Sequence, residues 1–130
     1  MKIYDNDENL VGIYINSEDI VDGRNFLTDP KETLQIGTFG LDKGTTISNH
    51  IHNELERKIS TTGEVLVVLE GKIKVSFYKK DLELLTEIIV NKHEAIAMYS
   101  GGHGIEILEN TKFIEIKQGP YLESMDKELF

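Results

Sequence analysis

Short segments that alternate between apolar and polar residues recur along the chain, and turn residues separate them. In KIKVSFYKK (72–80), Ile73, Val75 and Phe77 share one face of a predicted strand, and polar residues occupy the other face. This alternation is typical of an antiparallel strand with one face in the core and one face in water. EVLVVLEG (64–71) is apolar on both faces, which predicts a strand buried inside a sandwich.

Strands of this kind account for most of the chain, whereas helical periodicity is almost absent. The predicted strands are VGIYI (11–15), TLQIGTFGL (33–41), TTISNHIH (45–52), EVLVVLEG (64–71), KIKVSFYKK (72–80), LLTEIIV (84–90), EAIAMY (94–99), HGIEIL (103–108) and KFIEIKQG (112–119). Many short, regularly spaced strands predict an all-β sandwich or barrel. Helix is expected only in SEDIVD (17–22) and in the tail ESMDKELF (123–130). Since no linker or repeat interrupts the pattern, we expect one β domain with little helix.

Composition and charge restrict the classes of partner. The 130 residues carry a formal net charge of −9, from 23 acidic against 14 basic residues. An acidic chain without a cluster of Lys and Arg repels phosphate backbones and anionic lipid, so we expect no nucleic-acid and no membrane partner. Cysteine is absent, which removes disulfides and thiolate chemistry. No segment resembles a signal peptide or a membrane span, and a cytoplasmic location is therefore expected.

The histidines provide the strongest chemical signal. His50 and His52 stand one residue apart in a predicted strand, so both imidazoles point to the same face. Two imidazoles in one small volume need water, a shared proton or a cation between them. A third histidine, His103, lies in SGGHGIEIL, where the glycines permit a sharp turn and close approach of neighbouring groups. Because imidazole is a ligand for Zn, Cu, Fe and Ni, this set predicts a metal site.

Two carboxylates compete for the fourth ligand position. Glu56 follows His52 after three residues, and Glu64 follows it after eleven. Glu64 begins a predicted strand, whereas Glu56 lies in the predicted hairpin loop NELERKISTTG. Because packing fixes side chains better on regular elements than on loops, we favour Glu64. Glu56 stays open as the alternative ligand or as a catalytic acid/base.

These motifs resemble the two-part signature of the cupin superfamily. GTTISNHIH (44–52) and EVLVVLEG (64–71) are similar to the first motif, G-x5-H-x-H-x(3,4)-E-x6-G, and His103 takes the place of the histidine in the second motif. Glu64 as ligand requires an insertion relative to the motif, whereas Glu56 keeps its spacing. The second motif lacks its leading glycine, its proline and its final asparagine.

The resemblance implies a fold and a metal centre. It covers about residues 34–118 and implies a single cupin domain, an antiparallel β-barrel of jelly-roll type. The core barrel would span 34–118, with an N-terminal arm at 1–33 and a tail at 119–130. One divalent metal ion (Fe, Zn, Mn or Ni) would bind in the barrel, and its implied ligands are His50, His52, Glu64 and His103. EIKQGPYLESMDKELF further resembles the ending of small bacterial cupins found with surface-polysaccharide and sugar-nucleotide genes.

From these features we expect a metal-dependent enzyme for a small polar substrate such as a sugar derivative in polysaccharide biosynthesis. The chemistry would be of isomerase, epimerase or oxygenase type; the alternatives are a non-catalytic metal-bearing binding module and a purely structural metal. Arg57 and Lys58 are predicted anion anchors, Tyr78 is a predicted substrate contact, and Tyr99 is a second predicted acid/base, although both tyrosines also suit packing. We expect a homodimer, because association covers the free edges of small sheets.

Overall fold

The computed structural model describes residues 1–120 and 127–130. In chain order its strands are β1 (Lys2–Tyr4), β2 (Leu10–Ile15), β3 (Gly23–Phe26), β4 (Gly37–Gly40), β5 (Glu64–Glu70), β6 (Lys72–Tyr78), β7 (Leu84–Asn91), β8 (Ala95–Met98), β9 (Gly102–Ile107) and β10 (Lys112–Lys117). The only helical segment in these ranges is the 3₁₀ turn Ser17–Asp19, which confirms the predicted all-β class. Across the described part of the chain, helices with the length and hydropathy to cross a membrane are absent.

The chain divides into two compact units. The first unit comprises Met1–Ser17 and Thr61–Phe130, and the second comprises Glu18–Ser60. Eight strands of the first unit form two antiparallel sheets, with the orders β1-β2-β8-β5-β10 and β7-β6-β9. In the second unit β3 and β4 form a third antiparallel sheet. The single domain expected over 1–130, with a core barrel at 34–118, stays a prediction.

The two sheets of the first unit pack face to face around one apolar core. On the three-stranded sheet, Ile73, Val75 and Phe77 are fully buried, as the alternation in KIKVSFYKK predicts. The five-stranded sheet contributes Ile3, Val11, Leu66, Val68, Ile96 and Met98 to the same core. β5 lies between β8 and β10, and Leu66 and Val68 on its inward face are fully buried. Leu69 on its other face is 44% exposed, so the predicted burial of both faces is confirmed only in part. Burial of this apolar surface is the main stabilising term of the first unit.

The predicted N-terminal arm (1–33) contains two strands of the sandwich. β2 pairs with β8, and β1 pairs with β2 as the edge strand of the same sheet. A Cβ at Gly12 of β2 would lie 2.6 Å from Cε1 of Phe77, so the aromatic ring packs directly on the backbone there. Residues 1–17 therefore contribute to the core of the first unit.

The segment that carries the paired histidines differs from its prediction. TTISNHIH (45–52) was expected to be a strand, but in the structure this segment has no strand pairing and is exposed. Its apolar residues are Ile47 and Ile51, and Ile51 is 90% exposed. A strand is stabilised by pairing and by burial of one face, and this segment has neither in the structure. In TLQIGTFGL (33–41) only Gly37–Gly40 forms a strand.

The predicted C-terminal helix ESMDKELF (123–130) falls largely outside the described residues, since 121–126 are not described. Residues 127–130 have no regular secondary structure. Phe130 packs edge to face on Tyr78, with ring centroids 5.1 Å apart. A Cβ at Gly102 would lie 2.7 Å from the same Phe130 ring. The end of the described chain thus contacts the outward face of the three-stranded sheet.

Candidate functional site

A carboxylate and an imidazole meet between the two sheets of the first unit. Glu64 begins β5 and alternates with the core residues Leu66 and Val68, so it faces the opposite sheet. His103 of β9 lies directly opposite the buried Phe77 in the β6–β9 ladder and therefore shares its inward face. Nε2 of His103 is 3.1 Å from Oε2 of Glu64. This contact joins the two sheets at one end of the core.

The surroundings of this pair leave it accessible. The side chain of Glu64 is 18% exposed and that of His103 is 32% exposed. The contact of 3.1 Å is an ion pair when the imidazole of His103 is protonated. The same spacing suits two ligands of one ion, because donors about 2.1 Å from a metal at a right angle lie about 3 Å apart. The donor types and their separation therefore fit a divalent metal.

Lys117 is a third polar group at this position, and sequence reasoning did not identify it. In the β5–β10 ladder Lys117 lies directly opposite Glu64, so both side chains share the inward face. Its ammonium is 3.7 Å from Oε1 of Glu64 and 3.4 Å from Oε1 of Glu115. The alternation of Phe113, Glu115 and Lys117 was visible in the sequence, but the register that sets Lys117 opposite Glu64 was not.

Next to Lys117, the side chain of Gln118 contacts the backbone just before β5. Its Oε1 accepts a hydrogen bond of 2.6 Å from the backbone N–H of Gly63. This contact fixes the orientation of the amide, because the opposite orientation would set two donors against each other. Nε2 of Gln118 is buried and has no hydrogen-bond partner in residues 1–120 and 127–130. Gln118 thus supports the backbone immediately before Glu64.

The glycines around His103 serve close approach, as predicted. Gly101 has a φ of +74°, a left-handed conformation that favours glycine. Gly102 leaves space for the ring of Phe130, and Gly104 borders the ring of Tyr78. Tyr78 follows Phe77 on β6 and therefore lies on the face of this sheet opposite to His103. Its predicted substrate contact stays a prediction.

The second unit contains another pair of candidate ligands, and both of them are histidines. The rings of His50 and His52 are edge to face, with centroids 5.1 Å apart and an interplanar angle of 78°. Nδ1 of His50 is 2.9 Å from the backbone oxygen of Ser48. When Nδ1 carries the proton and donates to this carbonyl, the lone pair of Nε2 is available to a ligand. Both rings are exposed.

The remaining predicted residues differ in their accessibility. Glu56, Arg57 and Lys58 are exposed on a segment without regular structure. Tyr99, directly after β8, is buried, and its backbone N–H donates to the carbonyl oxygen of Val11 at 2.8 Å. This position suits packing better than proton transfer. The acid/base role of Glu56 or Tyr99 and the anchoring role of the two cations stay predictions.

The predicted four-ligand set is not assembled in the structure as described. Among residues 1–120 and 127–130, no group of three or more His, Cys, Asp or Glu side chains is placed to hold a metal ion. The structure instead presents two donors in each unit, Glu64 with His103 and His50 with His52. The metal site and its ligands therefore stay a prediction from the sequence motifs.

Comparisons with known proteins assign no family. No family model matches the chain, and neither the curated proteins nor the solved structures contain a significant match. The resemblance to cupins therefore rests on the sequence motifs alone.

Proposed function

We propose that this protein is a metal-dependent enzyme of the cupin type that acts on a small polar substrate such as a sugar derivative. The observation that supports this proposal is the contact of 3.1 Å between Glu64 and His103 across the two sheets. It joins two donor types that divalent metals prefer, at a position that solvent reaches. Two antiparallel sheets packed face to face are compatible with the jelly roll that the motifs imply.

The proposed ligands are Glu64, His103, His50 and His52. The contact between Nδ1 of His50 and the carbonyl of Ser48 supports this assignment, because metal-ligating histidines commonly donate their second ring N–H to a backbone carbonyl. Such a contact would fix the tautomer and leave the lone pair of Nε2 available to an ion. Glu56 is the alternative carboxylate ligand.

When bound, a divalent ion would polarise a substrate oxygen and lower the pKa of a bound water. The residues of the chain would supply the other requirements of the reaction. Glu64 and His103 would hold one side of the site, and Arg57 or Lys58 would anchor an anionic group of the substrate. Glu56 would move the proton in an isomerisation or epimerisation. Iron in the same site would instead suit oxygen chemistry.

One observation favours a second function, a metal-bearing binding module without turnover. The tyrosine predicted as an acid/base, Tyr99, is buried. A general acid or base must reach the proton that it transfers, so burial of Tyr99 leaves Glu56 as the predicted proton carrier. A protein that binds metal and sugar but shows no turnover, and whose Glu56→Gln variant binds both equally well, would support this second function.

Elemental analysis of the untagged protein, after reconstitution with Zn, Mn, Fe or Ni, tests the proposal. We expect near-stoichiometric metal in the wild type and loss of most of it in Glu64→Ala, His103→Ala and His50→Ala. His93→Asn is the matched control, because His93 lies in the turn between β7 and β8 with a φ of +70°, which asparagine tolerates. Absence of metal from the reconstituted wild type, or equal loss in the control, would contradict the proposal.

The two candidate carboxylates are separated by the same measurement. If Glu64 is the ligand, Glu64→Ala loses metal and Glu56→Ala retains it. The reverse pattern would assign the ligand position to Glu56, as the spacing of the motif suggests. If both variants retain the metal, neither Glu64 nor Glu56 is required for metal binding.

The proposed enzyme is a homodimer. β9 and β10 each end a sheet of the first unit, and Ile107 and Ile116 on these strands are exposed. Edge strands with exposed apolar side chains pair readily with a second chain. Light scattering is expected to give twice the mass of one chain for the wild type and a smaller mass for Ile116→Lys. A monomeric wild type would contradict this part of the proposal.

A further inference from the structure

We propose that Lys117 is an internal counter-cation of Glu64 that competes with the metal for this carboxylate. The inference rests on the proposed function, since it concerns the same site. It assigns to Lys117 a regulatory role that follows from its position: it sets how tightly the site binds a divalent ion.

The position of Lys117 is fixed by strand pairing. Lys117 and Glu64 are direct partners in the β5–β10 ladder, and Lys117 shares the inward face of β10 with Glu115. The ammonium lies 3.7 Å from Glu64 and 3.4 Å from Glu115. The side chain is only 26% exposed, so its charge is screened less than that of a surface lysine. Glu64 and Glu115 are therefore both ion-pair partners of Lys117 on the inward side of the sheet.

Charge balance explains why such a lysine affects metal binding. Without metal, the ammonium offsets the negative charge of Glu64 at a position where the carboxylate is largely removed from water. A divalent ion on Glu64 would lie within a few ångströms of the ammonium, and the two cations repel each other. Glu115 would still be an ion-pair partner of Lys117. The lysine thus stabilises the metal-free protein and weakens the binding of the ion.

The β5–β10 ladder offers a matched control at its other end. Lys112 pairs with Glu70 at 2.8 Å in the same ladder, as Lys117 pairs with Glu64. Lys112 is 73% exposed, and its partner Glu70 is not a candidate ligand. The variants Lys117→Met and Lys112→Met remove the same charge from the same strand and keep most of the aliphatic stem.

The test measures the affinity of metal-free protein for Zn²⁺ or Mn²⁺ by calorimetry or by competition with a chelator. We expect Lys117→Met to bind the ion about tenfold more tightly than wild type, and Lys112→Met to stay within about twofold. A second readout is the thermal midpoint of the metal-free protein, which should fall in Lys117→Met and rise again when metal is added. Circular dichroism verifies that both variants are folded.

The outcomes separate this inference from the proposed function. If wild type binds metal and Lys117→Met binds it equally or more weakly, the inference is overturned and the proposed function stands. If only Lys117→Met binds metal, the competition is supported in its strongest form. If neither protein binds metal, both the inference and the proposed metal site are overturned.

Discussion

The two donor pairs of this protein, Glu64 with His103 and His50 with His52, are held by different kinds of structure. Glu64 and His103 are 39 positions apart in the chain and meet because two packed sheets bring β5 and β9 together. The rings of His50 and His52 are in contact because only one residue lies between them in the chain, and their segment has no regular structure. The first pair depends on a cooperative core, whereas the second depends on local chain geometry.

The units that carry the two pairs also differ in how much apolar surface they bury. The first unit has a core of fully buried side chains from both sheets, among them Leu66, Phe77 and Ile96. In the second unit the aromatic pair Phe26 and Phe39 is in edge-to-face contact, but both rings are exposed. Apolar area removed from water is the main source of stability, so the first unit should determine the stability of the protein.

Hydrogen exchange gives the largest expected contrast between the two regions. Amides of β6, which pairs on both sides, should exchange only through global unfolding, at a cost of about 5 kcal/mol or more. Amides of residues 45–52 should exchange with almost no protection, because the segment has no strand pairing. Strong protection at 45–52 would instead restore the strand that the sequence predicts there.

The second largest contrast is expected in the free energy of unfolding, when a buried and an exposed aromatic residue are truncated. Phe77→Ala removes a fully buried ring and should lower the free energy of unfolding by about 3–5 kcal/mol, measured by urea denaturation. Phe26→Ala removes an exposed ring of the second unit and should cost less than about 1 kcal/mol. Equal losses would show that the second unit contains a core as strong as that of the first.

Addition of a methyl group tests the packing inside the first unit. A Cβ at Gly12 would lie 2.6 Å from Phe77 and 2.9 Å from the backbone oxygen of Ala97, so Gly12→Ala should cost about 1–3 kcal/mol. Gly104→Ala is the control, because the nearest atom to its Cβ, on Tyr78, is 4.0 Å away. In the double variant of Gly12→Ala with Phe77→Leu, the loss of stability should be smaller than the sum of the two single losses, since the smaller side chain frees space. A fully tolerated Gly12→Ala would contradict the close contact.

The smallest effect is expected on the outward face of the three-stranded sheet, at the ion pairs of β6. The hydroxyl of Ser76, at 3.0 Å, and the ammonium of Lys74 hold the pKa of Glu87 below its usual range. A carboxyl with a lowered folded pKa contributes stability above its unfolded pKa, and the contribution is lost as pH falls through the folded value. Ser76→Ala should therefore reduce the thermal midpoint slightly at pH 7, and the difference should shrink as the pH falls and Glu87 becomes protonated. A difference that persists in acid would assign the effect to another group.

Strand prediction from the sequence succeeded where apolar residues alternate strictly, because a period of two identifies the residues that form the buried face. Ile73, Val75 and Phe77 are the clearest case, and all three are fully buried. The same reasoning was wrong for TTISNHIH (45–52), since β-branched residues alone do not supply a buried face. The short strand β1 was missed, because its stability comes from pairing with β2.

The sequence by itself determined the all-β class, most of the strands of the first unit and which residues are candidate ligands. These features are local, since residue type and spacing along one strand decide them. The motifs implied that Glu64 and His103 come together, but only the tertiary structure decided their contact of 3.1 Å and the position of Lys117 opposite Glu64. Both contacts depend on strand register and on the packing of one sheet on another. Such contacts arise from the cooperative burial of many distant residues, which no single stretch of sequence encodes.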